Sequence, residues 1–204
     1  FTDGLWVQVG QTIDGDGVQS RFGTRVRMSE AGDRIMFLAT DAPQARVFTY
    51  DLVGSTWTPP TPALTSCTGT NYGEIDMSIN GNFFIVGNTG VTAGRACAYE
   101  WTGGLWVIRD AEIDPPNGGI QDVSITQNGD GIAISAAPVE GIGGSISMYT
   151  WGGASWTIRE TITGADNGFG RSISLADFGQ YLAVDNSQFE NEGRVYFCPF
   201  GVPP

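Results

Sequence analysis

The feature that most limits what this chain can become is a period. Tryptophans stand at 6, 57, 106 and 156, spaced by 51, 49 and 50 residues. Self-similarity at such a distance means one supersecondary unit used again and again, because a unit this short cannot bury its apolar face alone and has to stack on its neighbours. Aligned on the tryptophans, the copies share four kinds of segment. The first is an alternating aromatic stretch such as LWVQVGQTI (5–13) or LWVIRDAEI (105–113). The second opens on an aromatic–glycine pair in FGTRVRMS (22–29), YGEIDMS (72–78) and FGRSISLA (169–176), with GIQDVSIT (119–126) in the third copy. Within it Val26/Met28, Ile75/Met77, Val123/Ile125 and Ile173/Leu175 alternate with polar neighbours, the period of a strand with one buried face.

A turn follows at the same distance each time: SEAG, SING, TQNG and ADFG, ending on Gly32, Gly81, Gly129 and Gly179. Glycine there supplies the positive φ of a tight hairpin without steric cost. Behind the turns come the apolar strands DRIMFLAT, NFFIVGN, DGIAISAA and QYLAVDN, then ARVFTYDL (45–52), GRACAYEW (94–101), GSISMYTW (144–151) and GRVYFCPF (193–200). Four antiparallel strands in each copy is the pattern of a β-propeller blade. The expected fold is therefore all-β, a four-bladed β-propeller in one domain spanning 1–204. Its blades run about 22–64, 72–114, 119–163 and 169–200, the last joined by 5–13.

Leu52, Trp101, Trp151, Phe200 and Phe1 fall in one column, so the chain begins inside a hairpin and the last copy lacks its outermost strand. Residues 5–13 are predicted to supply that strand, closing the ring and removing the last open edge. The alternative is donation of the same strand to the last blade of a neighbouring molecule, head to tail. Adjacent termini give closure within one chain the lower entropy cost.

In its W…QVGQTIDG…FG…V.MS..G…RVF.Y…W pattern the whole chain resembles the FG-GAP-like propeller repeats of integrin α-type heads and of secreted bacterial and algal proteins. The register over four copies carries the resemblance. Copy three departs from it in having no aromatic–glycine pair, and copy two has PTPALTSCTG where the first has QTIDG. Calcium-binding members of the family carry an Asp-x-Asp-x-Asp-Gly loop. Here only DGDG (14–17) and NGDG (128–131) occur. Each offers two carboxylate or amide oxygens where Ca²⁺ takes six or more ligands, so both are read as turns, and no metal or other cofactor is expected.

Charge and composition narrow the functions. The ten basic residues are all Arg, against 22 acidic ones, for a net charge of −12. Such a surface repels nucleic acid and anionic membranes, and no apolar run reaches the length of a membrane span. The chain has no His and no Lys, which removes the usual nucleophilic triads and Schiff-base chemistry. Carboxylates remain. Two acids facing a cleft would serve a glycosidase, and this is the least favoured reading. The chain opens on Phe1 rather than Met, which fits a mature chain after loss of a leader or a chain without its ends.

On the inner strands one column holds Arg25, Glu74, Asp122 and Ser172, and another Arg27, Asp76, Ser124 and Ser174. Arginine pairs bidentately with carboxylates, so contact of Arg25 or Arg27 with Glu74, Asp76 or Asp122 is expected to hold the blades in register. Trp101 and Trp151, at the outer hairpins, are the candidate binding residues of a protein- or glycan-contacting rim. The Ser/Thr/Pro-rich stretch 55–70 reads as a proline-protected edge or as an O-glycosylated one, with Thr58, Thr61, Thr65 and Ser66 as acceptors. Following strand directions, Cys67 and Cys97 are the reachable disulfide pair, and Cys198 is left over. These features together suggest a non-catalytic extracellular or cell-surface scaffold, a self-assembling surface or filament subunit. Its expected partners are copies of itself or other extracellular proteins and glycans. A lectin- or adhesin-like propeller is the second reading.

Overall fold

A computed structural model describes residues 4–15, 21–40, 45–64, 72–88, 94–116, 118–139, 143–176, 179–187 and 192–199. Fifteen strands and no helix are found among them. The first sheet contains β1 (Phe22–Met28), β2 (Arg34–Ala39), β3 (Arg46–Val53) and β4 (Thr56–Thr58). The second contains β5 (Tyr72–Met77), β6 (Phe83–Asn88), β7 (Ala96–Trp101) and β8 (Trp106–Ile108). The third contains β9 (Ile120–Ile125), β10 (Gly131–Ala136), β11 (Ser145–Trp151) and β12 (Trp156–Thr163), and the last β13 (Phe169–Leu175), β14 (Tyr181–Asn186) and β15 (Arg194–Pro199). Strands within each sheet are antiparallel and pair in chain order, as in a propeller blade.

The turn at the head of each sheet shows why these segments form hairpins. Gly32, Gly81, Gly129 and Gly179 take φ of 68°, 70°, 64° and 63°, and each donates its N–H to the carbonyl three residues earlier. In three sheets the first turn residue is Ser29, Ser78 or Thr126, whose hydroxyl accepts the amide of Arg34, Phe83 or Gly131. Side-chain and backbone bonds thus fix the register of the second strand against the first.

Each sheet stacks on the next. We call the face turned to the preceding sheet the leading face, and the face turned to the following one the trailing face. Met36, Leu38 and Val47 of the first sheet's trailing face meet Ile75, Met77, Phe84, Val86, Tyr99 and Trp106 of the second sheet's leading face. Ile85 and Ala96 then meet Val123, Ile125, Ile132 and Ile134, and Ala133, Ile146 and Met148 meet Ile173, Leu175, Leu182 and Val184. Burying such a side chain is worth about 1.5–3 kcal/mol over leaving it in water, so the three interfaces supply most of the cohesion. The innermost strands β1, β5, β9 and β13 touch in that sequence.

The expected closure is not shown by this arrangement. Among the described residues no comparable interface joins β13 to β1, and β15 ends a three-stranded sheet. Residues 5–13 lie on the first sheet, where the outer strand of a preceding blade would lie. Trp57 Nε1 donates to Val9 O at 3.0 Å and Trp57 N to Gln11 Oε1 at 2.9 Å, while Gln11 Nε2 returns a bond to Trp57 O at 2.7 Å. The same arrangement recurs two sheets on. Trp156 Nε1 donates to Arg109 O at 3.2 Å and Trp156 N to Asp110 Oδ2 at 3.1 Å, the same two contacts from the residues aligned with Val9 and the Gly10–Gln11 step. Gly10 and Asp110 share a positive φ, 77° and 67°. Residues 5–13 therefore occupy the place of an outer strand belonging to a sheet that would precede the first.

Candidate functional site

The inner strands carry a ladder of contacts from sheet to sheet. Arg25 holds Glu74 bidentately, Nε to Oε2 at 2.8 Å and Nη2 to Oε1 at 2.5 Å, and Arg27 Nε reaches Asp76 Oδ1 at 3.0 Å. The hydrogen bond to Glu74 pushes the Arg25 guanidinium up from its ordinary value. Asp76 Oδ2 in turn accepts Ser124 Oγ and Ile125 N, both at 3.0 Å. Among the described residues no arginine bonds Asp122, although Arg25 and Arg27 stand close enough to act on it electrostatically. Its Oδ2 accepts Ile173 N at 2.8 Å and its Oδ1 accepts Val123 N at 2.9 Å, and Leu175 N donates to Ser124 Oγ at 3.1 Å. Burial pushes the Asp122 carboxyl up, against the pull of those two backbone donors. From the second sheet onward, an oxygen on one inner strand accepts the free backbone N–H groups of the next.

A second set of contacts sits at the rim. Arg34 pairs with Asp51 through Nε and Nη2, at 2.5 and 2.8 Å, donates Nη1 to Gly81 O at 2.9 Å and lies 4.6 Å from the Trp101 ring. Arg109 donates Nη1 to the equivalent carbonyl, Gly129 O, at 2.5 Å, while its guanidinium packs 4.3 Å from Phe83 and 5.1 Å from Trp151. Sequence reasoning missed both arginines. They do one job from different columns, Arg34 from the start of a second strand and Arg109 from just past an outer strand, so column alignment hides them.

Trp101 and Trp151 are half-buried beneath these guanidiniums and tilt against Trp106 and Trp156 at 5.2 Å. These contacts are internal. Between the third and last sheets Gly131 stands where Arg34 and Phe83 stand in the first two, and a cleft of about 200 Å³ opens there, lined in part by Thr126, Asp130, Tyr149, Trp151 and Arg159. Asp130 within the NGDG turn accepts Thr126 Oγ1 at 2.7 Å, a turn-stabilising bond, and no cluster of three metal-ligating side chains occurs among the described residues. Asp16 and Gly17 of DGDG lie outside the described residues, as do Thr65, Ser66 and Cys67. Cys97 is disulfide-bonded, and Cys198 is a free thiol whose pKa burial pushes up. Thr58 is exposed, whereas the Thr61 hydroxyl oxygen is buried and so closed to a glycan in this conformation.

The two ends of the stack stand apart from everything between them. Val26 and Met28, on the first sheet's leading face, are 54% and 61% exposed, where Ile75 and Met77 in the same columns are 0% and 8%. Val195 and Phe197, on the last sheet's trailing face, are 73% and 67% exposed, where Ile146 and Met148 are 0% and 3%. Leu5, Trp6, Val7 and Val9 add to the apolar surface at the first end.

No family model and no curated protein matches the sequence. Among solved structures the chain is similar to TolB from Acinetobacter baumannii, with a TM-score of 0.56 at 12% identity over 88% of this chain. The match spans 42% of the TolB chain. At that identity the likeness concerns the fold alone, and the sheets of this chain are β-propeller-like.

Proposed function

We propose that this chain is a non-catalytic scaffold of the cell surface or extracellular space, a run of propeller blades whose work is contact through its two ends. The fold reading that accompanies it is a set of consecutive blades, with residues 5–13 as the outer strand of a blade placed before the first. One observation carries the proposal: Val26 and Met28 at one end and Val195 and Phe197 at the other are exposed in columns that are buried at every internal interface. Light scattering across concentration tests it. Growth of defined assemblies supports the scaffold, and a monodisperse monomer at all concentrations contradicts it.

The rim cleft between the third and last sheets favours a second reading, a glycan-binding propeller. Its Trp151 ring, Asp130 carboxylate and Arg159 guanidinium are the groups that bind sugars by stacking and bidentate hydrogen bonds. A glycan-array screen with wild type and Trp151→Ala decides: binding lost in the variant supports it, and a flat screen removes it. A carboxylate-dependent glycosidase needs two acids in such a cleft, and Asp130 is the one acid among its described lining residues.

A further inference from the structure

The two open ends are complementary. At the second and third of the chain's internal interfaces, an inner-strand oxygen of the earlier sheet accepts an inner-strand N–H of the later one: Asp76 with Ile125, Asp122 with Ile173, Ser124 with Leu175. The last sheet presents Ser172 and Ser174 in those same oxygen columns, both exposed. The first sheet presents Val26 and Met28 in the donor columns, also exposed. Ser124 already shows that a serine hydroxyl performs this role. The apolar faces match in the same way, Val195 and Phe197 standing where Ile146 and Met148 pack, Val26 and Met28 where Ile173 and Leu175 pack.

The edges match as well. Among the described residues β15 lacks an outer strand, and residues 5–13 sit on the first sheet in the place of the outer strand of a preceding sheet. A second molecule set before the first would bring its β15 edge beside that segment without moving it. In the second sheet Arg109 N donates to Ala98 O, and Ala96 and Ile113 exchange N–H and carbonyl bonds. The aligned residues are Val9 with Phe197, and Ile13 with Val195. Pro199 aligns with Glu100 and removes one donor from that edge, so these two positions carry the ladder. Tyr99 opposite Ile108 becomes Cys198 opposite Gln8.

We infer that a second copy of this chain docks head to tail, its last sheet taking the outer strand 5–13 and the leading face of the first sheet of its neighbour. The inference rests on the scaffold reading and names its partner. Each contact takes the column position of one already present inside the chain, so the interface is heterologous and propagates until a ring closes.

Gln8→Cys tests it. In β7 Trp101 turns its N–H toward β6, to Asn82 O, and Ala98 turns its carbonyl toward β8, so by alternation Tyr99 opposite Ile108 is a non-hydrogen-bonded pair. The aligned Cys198 and Gln8 inherit that geometry, in which Cα atoms approach to about 4.5 Å and a disulfide fits. Under mild oxidation of the concentrated variant, a link between Cys198 of one molecule and the introduced thiol of the next is expected, with most chains in covalent dimers or longer species. Gln8→Cys combined with Cys198→Ser should form none. The same link found inside single chains overturns the inference in favour of closure on itself. Absence of the link while light scattering still shows assembly overturns this interface and leaves the scaffold reading standing. Absence of both link and assembly ends both. Position 8 is exposed, and an unchanged melting temperature of the reduced variant confirms that it folds.

Discussion

The interface between the third and last sheets and the two ends of the stack are built from the same columns and meet opposite fates. Ile146 and Met148 lie buried against Ile173 and Leu175, while Val195, Phe197, Val26 and Met28 repeat that chemistry in water. Sequence columns alone do not distinguish them, since every one reads as an alternating strand. Burial is set by whether a neighbouring blade is there. A repeat chain carries such columns at both ends wherever no capping repeat replaces them with a polar face.

A buried charge separates the two places by the widest margin. Ile146→Asp puts an unpaired carboxylate into a fully buried site and is expected to cost at least about 4 kcal/mol, enough to unfold most of the chain. Val195→Asp, one sheet on and also on a trailing face, is expected to leave the dilute protein within about 0.5 kcal/mol of the parent. Urea denaturation of both variants reads the contrast, and equal losses would mean that the end is covered in the monomer.

Rim and axis provide the next contrast. Arg34 is 11% exposed at its side chain and bonds Asp51 and the Gly81 carbonyl. Arg34→Ala is expected to cost about 2–3 kcal/mol, because it strands a carboxylate and a turn carbonyl together. Arg25 makes as good a bidentate pair, yet its side chain is 44% exposed. Arg25→Ala is therefore expected to cost under about 1 kcal/mol, and less in high salt. Thermal melts at low and high ionic strength separate the two.

Asp122 adds a finer contrast along the axis. Burial raises its carboxyl, so the folded chain holds a proton there more tightly than the unfolded chain does. The stability tied to this group is present below the ordinary carboxylate range and is lost as pH climbs through the raised value. Asp122→Asn removes that pH step, but its one amide oxygen cannot accept both Val123 N and Ile173 N, so it is expected to cost about 1–3 kcal/mol at neutral pH. Asp122→Ala leaves Ile173 N–H without its acceptor and is expected to cost about 1–3 kcal/mol. Melts from about pH 3 to about pH 7, spanning the carboxylate range and beyond, check both the step and its loss.

Much of the fold was legible because it is local and periodic. The turn glycines, the hairpins behind them and the alternation of Ile75/Met77 or Val123/Ile125 need only neighbouring residues to be read. Which strand residues 5–13 pair with was not, for a physical reason. Their pattern says that they are an outer strand, while the blade they attach to is chosen by non-local bonds from Trp57 to Val9 and Gln11. The inner-strand pairing of Arg25 with Glu74 and Arg27 with Asp76 follows from opposite charge in the same column of adjacent sheets. The backbone-capping role of Asp122 does not, because backbone donors leave no mark in the sequence. The rim arginines escaped because two different columns converge on one turn carbonyl.

Whether the two ends meet as halves of one interface is read by amide hydrogen exchange at Val26 and Met28 across protein concentration. Fast exchange in dilute solution, slowing at high concentration toward that of Ile173 and Leu175, is the expected result. Exchange that stays fast at every concentration, or protection already complete in the dilute monomer, would contradict it.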